Sequence, residues 1–228
     1  MSQLVDPYFV GRMGILTVPT ANPVQPEAFE LLHAAFGAGL IASRQLATIA
    51  DQIRQITRDA ELQILSRHKA DLCASLEPGS WCVAECLDHL TQTTCSFLPA
   101  ISDAIAEAPK LITNRRLRTG ILPSLFIRNL NPPYRVRFKV LPQLTPRNAD
   151  SDTVWTGFVE SQSQLLKTVL SAAGLAIDKV RIQSPVYARI SYNIYGAFRM
   201  LAAHQSRHFW QIGQILKALD SRPTSGTA

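Results

Sequence analysis

Near the C-terminal end of the chain, Ala197, Leu201, His204, His208, Gln211, Ile215 and Leu219 recur at the three- and four-residue spacing that puts side chains on one stripe of an α-helix. A run of that length, bounded by Ser191 or Asn193 at its start and Asp220 at its end, specifies a long helix with one buried face. Two imidazoles interrupt the apolar stripe. Their ring nitrogens need partners inside the core, and either hydrogen bonds or one shared metal ion can supply them.

Three further amphipathic stretches precede this one. Leu46, Ile49, Ile53, Ile56 and Leu62 mark a helix over about residues 43–66. A turn signal at Glu77-Pro78-Gly79-Ser80 follows, and a second helix opens at Trp81-Cys82 and runs to about Ala106. Glu85 stands three residues after Cys82, the offset of a capping box, with a thiol in place of the usual hydroxyl. Pro99 is expected to bend or break this helix. Asp150-Ser151-Asp152 supplies caps for a third helix, with Trp155, Phe158, Gln162, Leu165, Leu166 and Val169 inward and Gly174 as the stop.

The link between the second and third helices, from Pro109 to Asp150, is long and contains Pro123, Pro132, Pro133, Pro142 and Pro146. Within it, residues 122–130 suit a short helix and 134–140 alternate like a short strand. A connection of that length inside a compact domain crosses the structure or carries function. The expected fold is all-α: a four-helix bundle over residues 43–220 with a long crossover between helices two and three. Residues 1–42 read as an N-terminal arm with a possible short helix, and residues 221–228 as a disordered tail.

Charge is unevenly placed. Residues 110–147 hold nine Lys and Arg and no Asp or Glu, and removing these nine from the net charge of +6 leaves the remainder at −3. The basicity belongs to one connection, which could contact nucleic acid or an anionic membrane surface, or serve as a solvated face. It matches no nucleic-acid-binding motif. Four cysteines fall within 23 residues without a CxxC pair, and the N-terminus lacks a signal-peptide pattern, so reduced thiols and a cytoplasmic location are expected.

On the second helix Cys82, Cys86, His89, Leu90, Thr93 and Phe97 share a face, which turns His89 inward. His89, His204 and His208 then form a candidate metal site between facing helices. Three neutral imidazoles leave coordination positions open for water or substrate, as in catalytic sites. Glu85, one turn before His89, is a candidate general base as well as a cap. Arg207 and Gln211 flank the stripe and are candidates for orienting a substrate. Cys82 and Cys86 can be read as a further ligand or nucleophile, or as small buried apolar residues.

The segment from Trp81 through Cys82, Glu85 and His89 to Leu90 resembles the second-helix motif of the DinB-like bundle superfamily, and Ala203 to Trp210 resembles its fourth-helix motif. The resemblance spans about residues 43–219. It implies a divalent metal, zinc or nickel, on His89, His204 and His208, and a homodimer. Members include hydrolase-like enzymes and transferases that use a low-molecular-weight thiol. The chain departs from the pattern at Cys82, where the family usually has a Ser cap, and residues 1–40 have no counterpart. The function expected is a metal-dependent enzyme acting on a small-molecule substrate. The alternative is a non-catalytic ligand-binding or dimerising bundle with a structural metal or none.

Overall fold

The structure is a computed structural model that describes residues 40–221, apart from residues 133, 135–138, 148–149 and 188 and the side chain of residue 122. Among these residues the chain is mostly helical: α1 (Leu40–Ile64), α2 (Lys69–Leu72), α3 (Val83–Ala106), α4 (Ile121–Leu130), α5 (Ser151–Ser171) and α6 (Ile194–Asp220). A 3-10 turn covers Pro142–Leu144. Two short strands, β1 (Arg181–Gln183) and β2 (Ser191–Asn193), pair antiparallel with Ile182 opposite Tyr192. No helix of the described residues is long and apolar enough to cross a membrane.

The core explains how the four long helices are directed. One apolar cluster joins Ala42–Ile53 of α1, Phe97, Leu98 and Ile101 of α3, Leu165 and Val169 of α5, and Ile194–Ala203 of α6. A second joins Ile56, Ala60 and Ile64 with Val83, Leu87 and Leu90, then Val154 and Phe158, then Ile212, Ile215 and Leu216. Reading each helix from one cluster to the other, α1 and α6 run one way and α3 and α5 run the other. Both α1 and α3 pack against α5 and α6. The connection from α3 to α5 contains α4, which packs on α6.

Helix boundaries follow their caps. Asp150 accepts the Thr153 backbone N–H at 3.0 Å and starts α5, and Asn193 accepts that of Gly196 at 2.7 Å and starts α6. Gly174, with φ +74°, takes the left-handed conformation just past α5 that a Cβ would disfavour. Pro99 does not break α3, which continues to Ala106.

The strand pair at β1 and β2 had no clear signal, because three residues are too few to show an alternating pattern. The short strand expected over 134–140 falls largely on residues 135–138, outside those described, as do the arm up to residue 39 and the tail from residue 222.

Candidate metal centre

The first turn of α3 is fixed by a reciprocal pair. The Cys82 thiol sulfur accepts the Glu85 backbone N–H at 3.5 Å, and the Glu85 carboxylate accepts the Cys82 N–H at 2.8 Å. This is a complete capping box built on sulfur. Two turns on, His89 is 3% exposed. Its Nδ1–H donates to the Leu144 carbonyl at 2.7 Å, so the 3-10 turn of the long connection sets the ring's orientation. Neighbouring Asp88 ties the same connection down by accepting the Arg147 backbone N–H at 2.7 Å.

From α6, His204 and His208 approach the same point. The ligand-capable nitrogens of His89, His204 and His208 all lie within 4.8 Å of one another. His89 Nε2 and His204 Nε2 are 3.2 Å apart, and the three ring centroids are separated by 4.6 to 5.1 Å in edge-on arrangements. The Gln211 amide oxygen accepts from His208 Nδ1 at 3.1 Å. Trp81 closes one side, with its ring 4.9 Å from His89 and stacked 6.0 Å from His208.

The proton positions follow from the partners. Nδ1 of His89 faces a carbonyl and Nδ1 of His208 faces an amide oxygen, so each must carry its hydrogen there. Both Nε2 atoms are then bare lone pairs. A single N–H on His204 Nε2 can satisfy only one such lone pair, whereas one cation can satisfy all three rings. Two nitrogens on a tetrahedral ion at about 2.0–2.1 Å would stand about 3.3 Å apart, close to the spacing between His89 and His204. The donor set therefore fits a divalent metal ion.

Electrostatics agree with neutral ligands. Burial lowers the His89 pKa against the opposing pull of the Leu144 carbonyl. Burial, together with the neighbouring imidazoles and Arg207, pushes His204 well below the ordinary value. His208 falls to about 3, mainly through burial. Imidazoles that resist protonation keep their lone pairs for a metal.

The other candidates are placed differently. Glu85 is occupied at the helix cap and is not in the histidine group. Gln211 orients His208 instead of projecting beyond it. Arg207 donates to the Asn129 carbonyl at 3.3 Å and its guanidinium lies 5.5 Å from the Tyr134 ring, which directs it toward α4. Cys82 and Cys86 are buried, and burial pushes both thiols up, Cys86 most strongly. They behave as small core residues, not thiolates. His68 is exposed at the start of α2, and His33 is outside the described residues.

Sequence reasoning missed the Leu144 carbonyl and the Trp81 ring. A backbone carbonyl carries no sequence signal. Trp81 did carry one, because a large aromatic immediately before a helix cap has to pack on something nearby.

Comparison with family models, with curated proteins and with solved structures gives no match for this chain.

Proposed function

We propose that the protein is a divalent-metal-dependent enzyme acting on a small molecule, with the ion held by His89, His204 and His208. The observation that carries this reading is the pair of anchored Nδ1 groups: Leu144 and Gln211 fix His89 and His208 with their Nε2 lone pairs free and directed to the same point as His204. Zinc and nickel are among the metals that suit three imidazoles and no thiolate. We also read the four long helices as a four-helix bundle of the DinB-like type, with α4 and the 3-10 turn in its crossover.

When bound, such an ion would act as a Lewis acid on a substrate oxygen or sulfur, the chemistry of a hydrolase or a thiol-dependent transferase. The chain's own contribution is positional. Leu144 and Gln211 hold the tautomers, Trp81 walls off one side, and burial keeps the rings uncharged.

Metal analysis of purified wild-type protein and His204→Ala tests the reading. The wild type should carry zinc or nickel and the variant should lose most of it while keeping its helical circular dichroism. Equal metal content in both sinks the proposal.

A further inference from the structure

A cleft of about 1170 Å³ lies between α1, the segment 115–119, α4 and the first turns of α6. Its lining includes five cationic residues, Arg115, Arg116, Arg118, Lys179 and Arg199, and a single carboxylate, Asp178. Asp178 is already committed. It accepts both guanidinium arms of Arg115, at 2.6 and 2.8 Å, and the Arg118 backbone N–H at 3.2 Å. Arg115 is neutralised by that pair, and four cationic side chains remain around one concave surface.

These charges sit on a fixed frame. Gln45 of α1 clasps Leu117 twice, accepting its N–H at 2.7 Å and donating to its carbonyl at 3.2 Å. Asn193 donates to the Arg118 carbonyl at 2.7 Å. Arg199 donates to the Thr119 hydroxyl at 2.7 Å and stands 5.9 Å from the Tyr195 ring centre. The Tyr195 hydroxyl accepts from Gln45 at 2.9 Å, which leaves its own proton to donate. Arg116 lines the same cleft as Tyr195 and Arg199.

Like charges held together by a rigid scaffold repel one another unless an anion is present. Guanidinium forks match phosphate oxygens in pairs, and a cleft of this size encloses a small molecule. We propose that this cleft binds a small phosphorylated metabolite, with Arg116, Arg118, Lys179 and Arg199 meeting the phosphate charge and the Tyr195 hydroxyl donating to the ligand. None of the three histidines lines the cleft, although Ala203, next to His204 on α6, does. The anion site is thus separate from the metal centre.

Isothermal titration of the full chain with inorganic pyrophosphate provides the test. Binding should weaken by at least about tenfold in Arg116→Glu/Arg118→Glu, two exposed positions where the fold tolerates change, and should fall with added salt. The control Arg58→Glu/Lys167→Glu makes the same change in net charge at exposed sites outside the cleft and should bind as the wild type does. Binding should also survive in His204→Ala. No binding to wild type, an equal loss in the control, or a loss in His204→Ala would each overturn the proposal. So would tighter binding of a single-stranded oligonucleotide than of pyrophosphate through the same arginines, which would make the surface a nucleic-acid contact.

Discussion

His208 and Gln211, one turn apart on α6, are joined by a 3.1 Å contact from the imidazole Nδ1 to the amide oxygen, and this contact sets which nitrogen of His208 faces His89 and His204. The pair makes a prediction independent of any substrate. Gln211→Ala should lower zinc affinity by about 10- to 100-fold, the usual effect of removing a partner that orients a metal-binding imidazole. Gln211→Glu keeps the acceptor and should hold zinc at least as well as the wild type. Competition with a chromogenic chelator measures both, and equal weakening in the two variants would mean that the Gln211 oxygen does not orient the ring.

Cys82 and Glu85 separate capping from catalysis. Each closes one half of the box at the start of α3. Cys82→Ala should destabilise the protein by about 1 kcal/mol, the ordinary cost of a lost N-cap acceptor. Glu85→Gln retains an oxygen for the Cys82 N–H and should leave both stability and metal content near wild type. Urea denaturation with metal analysis reads both effects. A Glu85→Gln protein that is stable and metal-loaded, yet has lost a turnover the wild type shows, would return Glu85 to the catalytic candidates.

How far the sequence could be read depended on the range of each interaction. The long helices, the Asp150 cap and the inward stripe of His204 and His208 depend on spacings of a few residues, and all were legible. Gln162 was expected on the buried face of α5 and is 2% exposed. The Leu144 contact to His89 spans 55 residues, and Arg115 reaches Asp178 across 63. Neither has a local signature. The nine positive charges of residues 110–147 were visible, but not that Arg115, Arg116 and Arg118 share a cleft with Lys179 and Arg199 from beyond the segment.

The histidines also predict a pH dependence for protein treated with chelator. His208 has its pKa lowered from 6.5 to about 3, chiefly by burial, with His89 and Arg207 adding to the effect against the Gln211 contact. His89 and His204 are lowered as well, burial again leading. In the unfolded chain these groups return to 6.5, so below that pH the unfolded state binds protons that the folded state refuses. Their contribution to stability is therefore complete above pH 6.5 and is lost progressively as pH falls toward 3. Melting temperatures of wild type and His208→Leu, followed from about pH 7 to about pH 4, should show a steeper decline in the wild type. Parallel declines would contradict the lowered value.

Gln162 offers the last test. Both its side-chain amide atoms are buried without a hydrogen-bond partner among the described residues, although it stands on the same face as Phe158, Leu165 and Val169. An unpaired amide in that setting costs about 1–3 kcal/mol, whereas an apolar side chain of similar volume has no such penalty. Gln162→Leu should accordingly raise stability by about 1 kcal/mol or more, seen as a higher urea midpoint with an unchanged slope. The expected sign is opposite to that of most core substitutions, which makes the measurement decisive. Destabilisation by Gln162→Leu would mean that the amide is engaged, through bound water or a ligand, inside the core.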